Sequence, residues 1–381
     1  MKTKITRFLV IFFIAASILI VGCGKQKAKW KGTIEEEDGV TVVKNPTQPI
    51  YSKDVFKLEE DLTIENVEGE EEFTFQDITH IYVDEDENIY VSDSKAGHIK
   101  AFDKNGNDLR TIGKKGQGPG EFVYPFEILV FPQGELMVND LNQLRAHFFS
   151  LDGKFLRQFS TSTMMMFRRP RVDSKGNIIV GHVIAGDDIQ TVLKKLDSDL
   201  NPILTLATRP VISRPPAIIQ YFEVNRSTNF VWDVGPDDNI IWGVFDNYEI
   251  FVSNPEGKLI RKIVKEFDGI KINEEEKEKL IKAWFGNNPV PPQVNLKFPP
   301  VYPPFFRITC DEEGRIFAQT YEKTEDEEED YYDVFDSEGK YIVKISLKYR
   351  PHLWKNKKLY MAEENEEGFQ EVKRYKVHWD L

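Results

Sequence analysis

Cysteine and histidine are scarce in this chain of 381 residues, which contains two cysteines and six histidines. Secreted domains often use disulfides, but Cys23 and Cys310 leave no pair if one of them is modified. The histidines are scattered, and no group of them has the spacing of metal ligands. We therefore predict no metal site from these residues, and no Ser-His-Asp or reactive-cysteine arrangement stands out.

Basic residues are fewer than acidic ones. The chain contains 50 Lys and Arg and 63 Asp and Glu, which gives a formal net charge of -13. Nucleic-acid binding needs a basic footprint against the phosphate backbone, so no nucleic-acid partner is expected. The acidic excess instead favours solubility and repels anionic surfaces.

Long apolar runs are limited to one segment, Phe8 to Val21, which follows a short basic stretch. This run is too short for a comfortable membrane span, and it is typical of the core of a signal peptide. It ends in Ile20-Val21-Gly22-Cys23, which resembles the bacterial lipobox, where the cysteine thiol takes a diacylglycerol. A plain cleaved signal or an uncleaved anchor is the alternative interpretation.

We accordingly predict a lipoprotein signal peptide over residues 1–22 and a lipid-anchored tether over 23–50. Lipid chains on Cys23 would attach the protein to a bacterial membrane. The expected location is the cell envelope, facing the periplasm or the exterior. Within the tether, Val40 to Val43 is the one segment that reads as a short strand.

Aromatic residues are abundant, with 27 Phe, 14 Tyr and 6 Trp, and they recur in short alternating strands. Six copies of a unit of about four strands follow one another, with turns of the type Asp-x-x-Gly. Such a unit cannot bury both faces of its sheet alone, and a closed ring of units can. We predict an all-β fold, a six-bladed β-propeller over 51–381, in which residues 55–64 complete the last blade.

One insertion, about 268–304, interrupts the repeats. Asn273 followed by three Glu is a typical helix start, so a short helix is expected from there to Phe285. The following segment to Pro304 is rich in proline and is predicted to be a stiff loop near the channel mouth.

The segment Ile112 to Phe122, which ends in Gly118-Pro119-Gly120-Glu121-Phe122, resembles the linker between blades of NHL-repeat propellers. The whole chain is similar to the bacterial six-bladed propeller lipoproteins. NHL-like propellers include protein and RNA binders, lactonases and an amidating lyase, so the resemblance implies the fold without choosing an activity. It leaves calcium at the axis as a possible cofactor, although only Glu127 clearly supplies an inner oxygen ligand.

A candidate site follows from aligning the blades at the start of each inner strand. The predicted ligand-binding residues there are Arg168, Arg169, Arg307, Arg350, Phe126 and Phe306. Arginines beside aromatic rings are suited to a carboxylate, sulfate or phosphate group. Alternatively, the arginines pair with Glu127 and nearby acids in a channel without a ligand. The candidate catalytic residues are His80, Glu127 and Tyr349.

These observations favour a cell-envelope lipoprotein whose propeller binds a ligand or a protein partner without catalysis. The alternative is a propeller enzyme, either a lactonase-like hydrolase or a lyase on anionic sugars, with its site at the mouth of the central channel. A third hypothesis is an assembly scaffold that uses the helix and the proline-rich loop.

Overall fold

The structure is a computed structural model that describes residues 29–65, 75–161, 165–184, 190–210, 218–220, 230–292 and 295–381. The predicted signal peptide and Cys23 lie outside the described residues. Within these ranges, no helix combines the length and the apolar character needed to cross a bilayer.

The described part of the chain starts with three strands that join later blades, and the first blades follow. The three strands are β1 (Thr33–Glu37), β2 (Val40–Asn45) and β3 (Phe56–Ile64). Blade one consists of β4 (Ile78–Val83), β5 (Ile89–Asp93), β6 (His98–Phe102) and β7 (Asp108–Ile112). A linker with the parallel pair β8 (Lys114–Lys115) and β9 (Glu121–Phe122) leads to blade two, which contains β10 (Pro125–Val130), β11 (Glu135–Asp140), β12 (Arg145–Ser150) and β13 (Phe155–Ser160).

Blades three to six complete the ring. Blade three contains β14 (Met165–Val172), β15 (Ile178–Ile184), β16 (Gln190–Leu196) and β17 (Pro202–Pro210), and the short β18 (Ile218–Gln220) follows it. Blade four contains β19 (Phe230–Val234), β20 (Ile240–Val244), β21 (Glu249–Ser253) and β22 (Leu259–Lys265). The insertion holds α1 (Glu274–Phe285) and β23 (Asn295–Lys297). Blade five contains β24 (Arg307–Cys310), β25 (Ile316–Lys323), β26 (Asp330–Phe335) and β27 (Tyr341–Leu347), and blade six contains β28 (Pro351–Lys355), β29 (Lys358–Glu364) and β30 (Gln370–Trp379). Two 3-10 turns lie at Lys53–Val55 and Pro236–Asp238.

The predicted fold is confirmed: the chain is a six-bladed β-propeller, and the four strands of each blade pair antiparallel, with the innermost strand at the central axis. The repeated Asp turns have a local cause. The Asp173 carboxylate accepts the backbone N–H groups of Lys175 and Asn177, and Gly176 supplies the positive φ of 82° that the turn requires. Apolar side chains from adjacent blades then pack face to face, as in the cluster around Phe131, which joins blades two and three.

Ring closure follows the prediction from the sequence. β3 pairs antiparallel with β30 and becomes the outer strand of blade six, so the two ends of the propeller share one sheet. An ion pair reinforces this closure, because the Arg374 guanidinium donates to the Asp61 carboxylate over 2.8 Å with little exposure of either side chain.

The segment predicted as a tether contains a structural element. β1 and β2 form a hairpin, and β2 extends blade four by pairing in parallel with β22, giving a six-stranded sheet. Asn45, which is 3% exposed, donates to the carbonyls of Val264 and Gly339 and accepts the N–H of Tyr341. Residues 33–45 therefore belong to the folded domain and connect blades four and five.

The expected helix is present in the insertion. Asn273 caps α1, since its side-chain oxygen accepts the backbone N–H of Glu276 over 2.8 Å. Tyr302 of the proline-rich segment donates its hydroxyl to Glu276 and stacks on Tyr321 of blade five. Some residues of the insertion, among them Gly269, Pro299 and Tyr302, line a hollow of about 870 Å³ together with residues of blades three and four. No described residue of the insertion lines the axial cavity that we describe next.

Candidate functional site

The inner strands are joined around the axis by side chains that reach from one blade to the backbone of the next. His80 of blade one accepts the Ile128 N–H at its Nδ1 over 3.3 Å. Both carboxylate oxygens of Glu127 in blade two lie within 2.9 Å of the Arg169 backbone nitrogen of blade three. Because buried backbone N–H groups need acceptors, these two side chains fix the spacing of three successive blades.

The ring continues through the other three blades. Arg171 of blade three donates from Nε to Asp233 of blade four over 2.8 Å, and Asp233 also accepts the Cys310 N–H of blade five over 2.9 Å. The Trp354 indole of blade six donates to Thr309 over 3.3 Å. The ring is completed where the imidazole of His352 meets that of His80, with 6.3 Å between centroids.

An axial cavity of about 330 Å³ lies inside this ring. Its polar lining includes Arg171, Asp233, Asp311, Thr309, His80 and His352, and its aromatic walls include Tyr82 and Trp354. The cavity opens between the turns that join the first and second strands of the blades, at Glu85, Pro236, Glu312 and Lys355. The mouth expected from the sequence lies at the opposite end, where the inner strands begin.

Both histidines of the cavity are held in the neutral form. Burial, together with the positive charges of Arg171, Arg350 and Arg307, lowers the pKa of His80 well below its usual range. Burial and the charges of Arg350 and Arg307 have the same effect on the pKa of His352. Because the Nδ1 of His80 accepts a backbone N–H, its proton resides on Nε2, so the neutral ring is a hydrogen-bond donor on that side.

Three arginines, Arg171, Arg307 and Arg350, act on His80 through their positive charge. Arg307 is 7% exposed, and one of its terminal nitrogens, Nη1, is buried without a hydrogen-bond partner in the described structure. Burial and the charges of Arg350 and Arg169 lower the pKa of this guanidinium, so the cation lies in an unfavourable environment that an anion would relieve. Of the carboxylates nearby, Asp233 is paired with Arg171, Asp311 is paired with Arg315, and burial raises the pKa of Glu127. Glu85 and Glu312 lie at the mouth of the cavity.

The residues predicted from the sequence converge only in part. Neither Arg307 nor Arg350 is among the residues that line the cavity, although their charges lower the pKa of His352. The Tyr349 hydroxyl donates to the Glu364 carbonyl in blade six. Phe126 stacks on the adjacent Tyr124, and Phe306 packs against Tyr321. The backbone of Arg168 pairs with Gly181, and its side chain lies outside the described part of the structure.

Three principal residues of the cavity were missed in the sequence. Arg171, Asp233 and His352 each lie two positions after a residue that the blade alignment had selected. Alternate residues of a strand share a face, so continuing each inner strand by one further step would have found all three. Arg169 itself adopts a positive φ of 49° at an irregularity in the pairing of β14 with β15, and the alignment could not show that feature.

Two other expectations concern metal and cysteine. In the ranges that the structure describes, no three or more His, Cys, Asp or Glu side chains are grouped so that they could hold a metal ion. Cys310 lines the cavity, and burial followed by the charges of Asp233 and Asp311 raises the pKa of its thiol well above the usual value. The thiol is therefore a poor nucleophile.

Comparisons with known proteins agree with the architecture. Residues 33–168 match the model of the DUF5128 family, described as a 6-bladed beta-propeller. The chain is similar to a Bacteroides fragilis NCTC 9343 protein described as exported, with 10% identity, a TM-score of 0.55, and coverage of 89% of this chain and 100% of that one. It is also similar to a DUF4221 family member from Bacteroides vulgatus, with 14% identity, a TM-score of 0.53, and coverage of 86% and 99%.

A likeness to virginiamycin B lyase from Staphylococcus aureus has 9% identity and a TM-score of 0.42, with coverage of 84% and 99%, and supports no inference about activity. No curated protein sequence matches the chain. These likenesses concern the fold. The NHL resemblance and the lipid anchor stay predictions.

Proposed function

We propose that this chain is a cell-envelope lipoprotein whose propeller binds a small anionic ligand in the axial cavity without catalysing its conversion. The observation that carries this proposal is the buried Nη1 of Arg307, which has no hydrogen-bond partner in the described structure, together with the positive charges that Arg171, Arg307 and Arg350 exert on His80. Asp233 is the carboxylate that pairs with Arg171. A bound anion would compensate the remaining charge.

The donors of the cavity define the ligand chemistry. The Arg171 guanidinium is a charged hydrogen-bond donor, and the Nε2–H of His80 is a neutral one. Thr309 adds a hydroxyl that can also donate. A carboxylate, sulfate or phosphate group accepts from such donors. Tyr82 and Trp354 supply flat apolar walls against which the body of a sugar or a peptide packs. The volume of about 330 Å³ suits a small ligand.

The geometry favours binding over catalysis. A general base needs an available lone pair, but the Nδ1 of His80 is used by the Ile128 N–H. Glu127 is occupied by the backbone of Arg169, and Tyr349 donates to a carbonyl in blade six. Each candidate catalytic residue therefore has a structural bond that a catalytic role would have to break.

The envelope location rests on the lipobox that ends at Cys23. A protein of similar fold is described as exported, which agrees with a location outside the cytoplasm. Intact-mass measurement of the protein extracted from bacterial membranes should show a diacylglycerol on Cys23. The Cys23→Ser variant should lose both this mass and membrane fractionation, and an unmodified thiol in the wild type would contradict the anchor.

The ligand proposal is tested by a thermal-shift screen of residues 24–381 with carboxylates, sulfated sugars and phosphate esters, each paired with a neutral analogue. A ligand present at about 100 times its Kd should stabilise the native state by about 2.7 kcal/mol. The Arg350→Gln variant, which removes an exposed residue whose positive charge acts on both cavity histidines, should weaken the response. Equal responses to anionic compounds and their neutral analogues would contradict an anion site.

A further inference from the structure

The wall of the axial cavity is apolar over much of its surface. Five of the six blades contribute to this part of the wall, and the residues are Val83, Leu129, Val172, Val234, Leu353 and Trp354. Apolar surface is removed from water when an apolar group packs against it, which is favourable, whereas a hydrated group brings no such gain. The residue types of the wall therefore favour a ligand with an apolar body.

The aromatic side chains of the wall use their polar atoms within the protein. The Tyr82 hydroxyl donates to the Val130 carbonyl over 3.3 Å, and the Trp354 indole donates to Thr309 over the same distance. The rings alone would accommodate a sugar or a peptide, but a hydroxyl or an amide buried against them would lose hydrogen bonds to water and find few replacements. A polar body is therefore disfavoured at this wall.

Two carboxylates of the wall are occupied as well. Asp233 accepts from the Arg171 guanidinium and from the Cys310 N–H. Asp311 accepts from both the backbone and the guanidinium of Arg315. An ammonium or hydroxyl group of a ligand would have to displace these bonds, so amino acids and sugars suit the wall less well than an apolar body does.

The anionic group of the ligand finds its donors at Arg171 and His80, which both line the cavity. In the described structure, Asp233 and the Pro170 carbonyl use two of the five N–H donors of Arg171. The remaining donors and the Nε2–H of His80 suit a carboxylate, because each of its two oxygens accepts hydrogen bonds. The cavity thus offers donors for one anionic group.

The mouth of the cavity limits the charge of a ligand. Glu85 and Glu312 lie there, and Lys355 pairs with Glu85 over 2.6 Å. Since Lys355 offsets Glu85, the Glu312 carboxylate leaves one excess negative charge among these three residues, which repels a dianion more than a monoanion. We propose that the axial cavity takes a monocarboxylate with an aromatic or branched aliphatic body, an inference that rests on the proposed anion site and names its ligand class.

The test is calorimetric titration of the chain used in the ligand screen with matched compounds. Hydrocinnamate combines an apolar body with one carboxylate, and hydrocinnamide removes the charge. Glucuronate keeps the carboxylate on a polar body, and phenethyl phosphate adds a second negative charge to an apolar body. We expect hydrocinnamate to bind at least about tenfold more tightly than each of the other three. Isocaproate and its amide repeat the comparison with an aliphatic body.

The outcomes distinguish this inference from the proposed function. If glucuronate or phenethyl phosphate bound as tightly as hydrocinnamate and isocaproate, the ligand class would be wrong, although an anion site would remain. If the amides bound as tightly as the acids, the anion site itself would be contradicted. An absence of binding by both hydrocinnamate and isocaproate would also overturn the ligand class.

Variants of the wall test the apolar contact directly. Leu353→Asn and Val234→Thr place a polar group in the wall with little change in size, and each should weaken hydrocinnamate binding by about tenfold. Because Val234→Thr keeps the branched shape of the side chain, it reports on the wall even where Leu353→Asn fails to fold.

The matched control uses Leu156 of blade two, which is exposed and does not line the cavity. Leu156→Asn should bind hydrocinnamate within about twofold of the wild type. Wall variants that bind as tightly as this control would overturn the apolar contact. If Arg350→Gln still weakened binding in that case, the anion site would stand without the ligand class assigned to it.

Discussion

Arg171 and Asp233 form an ion pair that joins blades three and four at the axis, with 2.8 Å between Nε and Oδ1. Their side chains are 18% and 13% exposed, so water screens the pair only in part. Asp233 also accepts the Cys310 N–H, and one carboxylate therefore connects three successive blades. The same ion pair therefore contributes to the stability of the ring of blades and to the charge of the cavity.

Breaking this pair should destabilise the propeller. Asp233→Ala leaves a shielded cation and the Cys310 N–H without their acceptor, so the free energy of unfolding should fall by about 3 kcal/mol. Urea denaturation of the single variants R171Q and D233N and of the double variant R171Q/D233N should yield a coupling energy above about 1 kcal/mol. The more exposed pair of Arg209 with Asp246 serves as the control, with an expected coupling below about 1 kcal/mol. Equal coupling in the two pairs would contradict the role assigned to Asp233.

The N-terminal hairpin should contribute to stability through Asn45. Asn45→Ala removes the acceptor of the Tyr341 N–H and the donor to two buried carbonyls, which should cost about 2 kcal/mol of unfolding free energy. Lys44, the exposed neighbour of Asn45, provides a matched control. Lys44→Ala should change the free energy of unfolding by less than about 0.5 kcal/mol. If both variants were equally stable, the hairpin would not be part of the cooperative fold.

Ring closure should depend on β3. A chain that starts at residue 47 retains β3 and should still unfold in one cooperative transition. A chain that starts at residue 65 lacks the outer strand of blade six and the Asp61 partner of Arg374, so its transition should broaden or disappear. Circular dichroism during heating compares the two. Similar transitions in both chains would show that closure does not need this strand.

The neutral histidines should make the protein sensitive to mild acid. The pKa values of His80 and His352 are lowered in the folded state, so below about pH 6.5 the unfolded chain binds more protons. The free energy of unfolding should therefore fall with decreasing pH, by about 1.4 kcal/mol per pH unit for each histidine.

The variant H80N/H352N isolates this pair. Its slope between about pH 6.5 and pH 5 should be shallower than that of the wild type by up to about 2.7 kcal/mol per pH unit. His98, His147 and His182 also have pKa values lowered by burial, and they should account for a remaining slope. An unchanged slope would mean that the two axial histidines titrate normally.

Local features made the blades predictable from the sequence. The turn around Asp173 is built from contacts within five residues, and alternation identifies each strand without any knowledge of its neighbours. The last repeat of the sequence also lacked an outer strand. Because an open sheet edge favours pairing with another strand, residues 55–64 were predicted to fill that position. Both expectations are confirmed in the sheet order.

Long-range features could not be predicted in the same way. The pairing of β2 with β22 joins segments more than 200 positions apart, as the Asn45 to Val264 bond shows, so Val40 to Val43 looked like an isolated strand. The cavity depends on how far along each inner strand its lining residue lies. The alignment stopped at Arg169, whose positive φ and occupied backbone N–H are tertiary features, and Arg171 two residues later lines the cavity.

The most direct test of the central claim is calorimetric titration of an anionic hit from the ligand screen into the wild type, R350Q and R171Q/D233N. The first variant removes one positive charge, and the second removes a donor without changing the net charge. We predict that both weaken binding by about tenfold or more, while the K57Q/K104Q/K175Q/K258Q variant, which removes four exposed lysines that do not line the cavity, binds like the wild type. Unchanged affinity in both axial variants would contradict an anion site at the centre of the propeller.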